Sequence, residues 1–88
     1  MLTKWEKRQI ASARSKKELA AIKECIISDG IYSVLEKGPR THDSLIAYGA
    51  SKFGSEGKVI ASFAIAKFVG LLWIKIAGPK YKIYGGNA

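Results

Sequence analysis

The sequence predicts a mostly α-helical domain that ends in a small β-hairpin. Three observations carry this reading. Apolar residues recur at helical spacing through two long segments. Hydroxyl residues with an acid close behind them mark several helix starts. The last third then switches to strand-like alternation around a Gly-Pro pair. With 88 residues and a hydrophobic fraction of 48%, the chain suits one compact core and is too short for two.

The first two helix starts have the same form. Thr3-Lys4-Trp5-Glu6 and Ser15-Lys16-Lys17-Glu18 each match a capping box, in which a hydroxyl and a carboxylate satisfy each other's backbone donors. They predict a short helix over 4–14 and a second over 16–37. A single helix over 4–28 is the alternative, because neither Gly nor Pro separates the two. Leu19, Ile22, Ile26, Ile27, Ile31, Val34 and Leu35 give the second segment its apolar face. Gly30 costs about 1 kcal/mol relative to Ala in a helix interior, so a break or kink is expected near Ser28-Asp29-Gly30.

Gly38-Pro39 closes that helix, since Gly suits the position after a C-cap and Pro cannot continue the ladder. Thr41 caps a third segment, His42 to Lys52, with Gly49 and Gly54 as possible stops. Ser55 starts the next helix, with Glu56 in its first turn. That helix contains the most apolar stretch of the chain, VIASFAIAKFVGLLW over 59–73. Val59, Phe63, Ala66 and Val69 form one row, and Ile60, Ala64, Phe68 and Leu71 a second; both are expected to face the core. After Gly70, Leu72 to Lys75 and Tyr81 to Tyr84 read as two strands joined by a turn at 77–80. Trp73, Tyr81 and Tyr84 are expected to pack across the hairpin. Residues 85–88 read as a frayed end.

Charge is unevenly distributed. The formal net charge is +8. Residues 1–24 carry seven Lys or Arg against three Glu, 25–57 are close to neutral, and 58–88 carry five Lys and no acid. Two basic zones around a neutral middle point to a polyanionic partner, most often nucleic acid. An acidic protein is the other expected partner. Trp5, among Lys4, Lys7 and Arg8, is placed to pack on the core or on a second copy in a homodimer, or to stack a base.

Other function classes fit poorly. A membrane span needs about 20 apolar residues, whereas the run from Val59 to Ile74 is sixteen residues with Lys67 inside it. A lysine at mid-span costs roughly 2.5–3.5 kcal/mol, so no membrane partner is expected. Acidic residues interrupt the basic N-terminus and no apolar run follows it, so no leader is expected and the expected location is cytoplasmic, or nucleoid or nuclear. One cysteine and one histidine leave no set for structural zinc, and neither metal nor cofactor is expected. Cys25, beside Ile26 and Ile27, reads as a small buried hydrophobe. His42 next to Asp43 has no nucleophile with it, so no catalytic residue is assigned and the chain is not expected to be an enzyme.

The order is helix, Gly-Pro-x-Thr, helix, Gly-containing turn, helix ending in Gly-Leu-Leu, and a lysine-bearing hairpin. Through LEKGPRTHDSLIAYG (35–49), SEGKVIASFAIAKFVGLLWIKI (55–76) and GPKYKIYG (78–85), the chain resembles the winged helix-turn-helix superfamily. The resemblance implies a basic N-terminal helical arm over 1–18, a winged-helix domain over 19–85 and a tail over 86–88. It also implies a small transcriptional or accessory regulator that binds double-stranded DNA.

By position, the reading helix would present Ser55, Lys58 and Ser62, with Lys67 further along, and the wing Lys80 and Lys82 with Tyr81 beside them. Arg40 or Thr41 would approach a phosphate, and Lys4, Lys7, Arg8 and Arg14 of the arm would add phosphate contacts. Lysines suit phosphates. Base readout uses Arg, Asn or Gln in bidentate contacts, and residues 55–70 contain none. Binding is therefore expected to rest on phosphates, with little sequence specificity.

Overall fold

The computed structural model describes residues 2–76 and 80–83. Of the expected turn at 77–80, residues 77–79 lie outside the described residues, as do the packing of Tyr84 and the frayed tail, and Lys80 belongs to a strand rather than to the turn. The chain forms α1 (Lys4–Ala11), α2 (Lys16–Glu36), β1 (Arg40–Thr41), α3 (His42–Phe68), β2 (Trp73–Ile76) and β3 (Lys80–Ile83). It is mostly helical, with a three-stranded antiparallel sheet in the order β1-β3-β2.

Local capping sets the first elements. Thr3 Oγ1 accepts from the Glu6 N–H at 3.1 Å, and Glu6 Oε1 accepts from the Thr3 N–H at 2.9 Å, which completes the capping box of α1. Ser15 Oγ accepts from the Glu18 N–H at 3.1 Å and caps α2. To do so Ser15 adopts an extended backbone (φ −148°, ψ 165°). That conformation cannot continue a helix, so α1 ends at Ala11, three residues earlier than the sequence predicts, and the single-helix alternative fails.

Helix α2 runs unbroken through Gly30, against the expected kink. The reason lies across the structure: the phenol end of Tyr48 occupies the space that a Cβ on residue 30 would need. The glycine therefore makes room for a packed aromatic without bending the helix. Ile26, Ile27, Ile31 and Leu35 form the buried face of α2. Cys25 is exposed rather than buried, because two positions of helix rotate it about 200° away from Ile27.

Helix α3 leaves helical geometry at Phe53 (φ −135°, ψ 20°) and Gly54 (φ 62°, ψ −140°). It thus has two arms, 42–52 and 55–68, joined at an elbow. At the elbow the backbones of Gly49 and Gly57 touch, and any Cβ at either position would strike the other's carbonyl. Thr41 Oγ1 accepts from the Ser44 N–H at 3.1 Å and caps the first arm as expected.

Strand β1 was not among the expected elements. Gly38 and Pro39 release the chain from α2 in extended form, and Arg40 and Thr41 then pair with Tyr81 and Lys80. What the sequence predicts as a hairpin is therefore a three-stranded sheet. Trp73 joins it to the helices: its side chain is fully buried, its ring meets Phe68 edge-on at 5.6 Å, and its Nε1–H donates to the Ile65 carbonyl at 3.1 Å. Ile27, Ile31, Leu35, Leu45, Ala61, Ala64, Ile65, Trp73 and Tyr81 make one continuous core.

Gly30→Ala tests the Tyr48 packing. In a solvated helix this change stabilises by about 1 kcal/mol. Here overpacking should reverse the sign, destabilising by about 1–3 kcal/mol in chemical denaturation. Because Tyr48 Oη is the atom nearest the new methyl, adding Tyr48→Phe should recover part of the loss.

Candidate nucleic-acid interface

The second arm of α3 turns Gly57, Ala61, Ala64 and Ile65 inward, with Ile60 and Phe68 partly buried beside them. Its opposite face carries Ser55, Val59, Ser62, Phe63 and Ala66, all exposed. This corrects the expectation that both apolar rows face the core. Val59 is 55% exposed and Phe63 69%. Where the arms touch, at Gly49 and Gly57, the inward residues are small, Gly57 and Ala61, and larger ones, Ile65 and Phe68, face the core further along the arm. The 4-3-4 spacing of Gly57, Ala61, Ala64 and Phe68 was the signal available in the sequence for this orientation. Leu71, just past the helix, is also exposed.

Ser55, Lys58 and Ser62 stand on or beside that outward face, as the resemblance implies, and all three are exposed. Lys58 forms no ion pair among the described residues. Lys67 behaves differently. Its ammonium is 2.9 Å from Glu24 Oε1 on α2 and lies 5.4 Å from the Phe68 ring centroid. The Glu24 hydrogen bond and charge hold the Lys67 pKa above its ordinary value. Lys67 thus braces α3 against α2, away from the Ser55–Ser62 strip.

On the sheet, residues directly opposite each other share a face. Thr41, Lys80 and Ile76 form one row, and Ile74 and Lys82 another on the same side. Lys80 is exposed and Lys82 half-buried. Arg40, Tyr81 and Lys75 point to the other side. Tyr81 is therefore not beside the two lysines. Its side chain is buried in the core cluster, with its ring 6.1 Å from that of His42. A strand reverses direction at every residue, so Tyr81 must point opposite to Lys80 and Lys82 once one of them faces out. Arg40 is exposed at the end of the Tyr81 row.

Helix α1 presents Lys4, Lys7 and Arg8 to solvent, and Arg14 is exposed in the link to α2. No residue of α1 is buried. An ion pair fixes it instead. Lys52 Nζ, on the first arm of α3, is 2.9 Å from Glu6 Oε1, with both side chains only 12% exposed. Burial alone would raise the Glu6 carboxyl, but the Thr3 N–H bond and the Lys52 ammonium outweigh it and hold the pKa below the ordinary carboxylate value. Lys52 also lies 5.7 Å from the Tyr48 ring centroid. Burial pushes the Tyr48 hydroxyl up, with the Lys52 charge opposing. Sequence reasoning missed this attachment, because the partners are separated by 46 positions.

No family model matches this chain, and neither a curated protein nor a solved structure is significantly similar to it. Among the described residues no helix is long and apolar enough to cross a membrane.

The attachment of α1 has a pH signature. A carboxyl depressed by folding contributes stability that is present above its unfolded pKa, near 4.5, and lost as pH falls through the lower folded value. Native protein should therefore lose α1 protection in amide exchange on acidification below that range. In Glu6→Gln, α1 should already exchange faster at neutral pH, and this acid-dependent step should be absent.

Proposed function

We propose that this is a small winged-helix regulator that binds double-stranded DNA through phosphates, using α3 and the outer face of the sheet. The observation that carries the reading is the disposition of charge. Arg40, Lys58, Lys80 and Lys82 form no ion pair among the described residues, while Lys23, Lys52 and Lys67 are taken up by Glu56, Glu6 and Glu24. No acid follows Glu56 in the chain. Lys58 on the helix and Lys80 and Lys82 on the outer sheet face, with Arg40 exposed at the edge of the opposite face, form no ion pair among the described residues and suit phosphates. The element order, with β1 between α2 and α3 and strands arranged β1-β3-β2, supports the family layout that the sequence resembles.

The outward strip of α3 sets the character of that binding. Ser55, Val59, Ser62, Phe63 and Ala66 include hydroxyls and apolar groups but no bidentate donor. Such a helix can enter a major groove and touch thymine methyls, but it cannot select guanine or adenine by paired hydrogen bonds. Duplex should be bound with weak sequence preference.

The exposed Phe63 and Val59 favour a second reading. Apolar side chains of this size, left in solvent near free lysines, also suit an acidic amphipathic segment of a protein partner. The two readings separate by salt dependence and by which variant matters.

For the nucleic-acid reading, affinity for random duplex should fall steeply with salt. Each phosphate contributes about 0.9 to the slope of log K against log salt, so the three cations on the proposed surface, Lys58, Lys80 and Lys82, give a slope of about −3. Lys80→Ala with Lys82→Ala should flatten the slope by about 2 at unchanged thermal stability. Absence of binding at about 50 mM salt would sink this reading. Salt-insensitive retention of an acidic peptide, abolished by Phe63→Ser, would establish the second.

A further inference from the structure

The groove between α1 and α2 is unlike the rest of this basic chain. It encloses about 380 Å³, and its lining includes Trp5, Gln9, Glu18, Ile22, Cys25 and Asp29. Its charged lining residues, Glu18 and Asp29, are both acidic, on a protein of formal charge +8. On the far side of Trp5 a second hollow of about 360 Å³ opens toward Tyr48. Trp5 stands between the two, 62% exposed.

An indole buries about 150–250 Å² when covered, and leaving it in water forgoes that gain. Its helix is nonetheless held rigidly by a complete capping box and by the Glu6–Lys52 pair. A helix fixed in place with no fully buried residue of its own, yet presenting an exposed tryptophan, is suited to be covered.

We infer that the occupant of this groove is α1 of a second copy of the chain, giving a two-fold dimer in which each Trp5 enters the other's α1–α2 groove. Charge complementarity selects this occupant. The groove needs an apolar wedge flanked by cations, and α1 supplies Trp5 with Lys4, Lys7 and Arg8, all exposed. An acidic segment would meet Glu18 and Asp29 and be repelled. The arrangement closes on itself, because one short element provides both the wedge and one wall of the receiving groove. This inference is independent of the nucleic-acid reading, and its test contains no nucleic acid.

The test uses the full chain. Light scattering from about 1 to 100 µM should show conversion from monomer to dimer. Over the same range, alkylation of Cys25, the chain's one cysteine, should slow in proportion to the dimer fraction. Two charge-reversed variants then probe the contact. One carries Glu18→Lys and Asp29→Lys; the other carries Lys4→Glu, Lys7→Glu and Arg8→Glu. Each alone should self-associate at least about tenfold more weakly, because its groove and its partner's arm then have the same sign. Mixed together they should form a heterodimer, because both arm–groove contacts become complementary again.

Phe63→Ser should leave the dimer intact. A monomer throughout the range would overturn the inference and leave the groove to a cationic segment of another protein. Dimerisation without Cys25 protection, or a dimer broken by Phe63→Ser and indifferent to the reversals, would overturn it too. The Cys25 measurement on the unmodified chain decides the matter even if a reversed variant does not fold.

Discussion

The contact between the backbones of Gly49 and Gly57 governs the shape of this molecule. Two helical arms can meet that closely only where neither position carries a side chain. Where they touch, the residues facing the other arm are small, and a Cβ on Gly49 would also meet the Ala61 Cβ. Val59 and Phe63 of the same segment lie on the outside, while Ile65 and Phe68 face the core further along the arm. The outward strip of α3 is thus the geometric counterpart of a tight elbow. The elbow also sends the second arm toward the sheet, where Ile65 accepts the hydrogen bond that anchors Trp73.

What could be read from sequence divides along the range of the interaction responsible. Thr3, Ser15 and Thr41 act on backbone donors three residues away, and each caps the helix it was expected to cap. The elbow at Phe53–Gly54 and the end of α2 before Gly38-Pro39 were legible for the same reason. The early end of α1, the exposure of Cys25 and the direction of Tyr81 turn on local geometry, and the other misreadings involve partners distant in sequence. Gly30 looks like a weak point until Tyr48 is placed on it. The choice between two apolar rows on α3 depends on which one α2 and the first arm cover. Strand β1 exists only because β3 returns to pair with it.

The candidate site follows the same division. Lys80 and Lys82 lie two apart on a strand, so their common face could be read from the period alone. That period also places Tyr81 on the opposite face, where its ring joins the core rather than the lysines. Lys67, by contrast, looked free in the sequence because Glu24 is 43 residues away. Only the fold brings the two together.

The same division of charge bears on stability. Every ion pair among the described residues joins helices: Glu6 to Lys52, Lys23 to Glu56 and Glu24 to Lys67. These three glutamates fasten α1, α2 and α3 to one another. Arg40, Lys58, Lys75, Lys80 and Lys82 form no ion pair among the described residues, and charges of one sign on a compact chain repel one another. Such self-repulsion opposes the compact state and weakens as salt screens it. A ligand that lies across these groups and binds only the folded chain adds to stability with the logarithm of its concentration relative to its Kd. The cost imposed by the unpaired cations is then relieved by the class of molecule they are placed to attract, and a polyanion meets that condition more fully than an apolar partner on the neighbouring strip could.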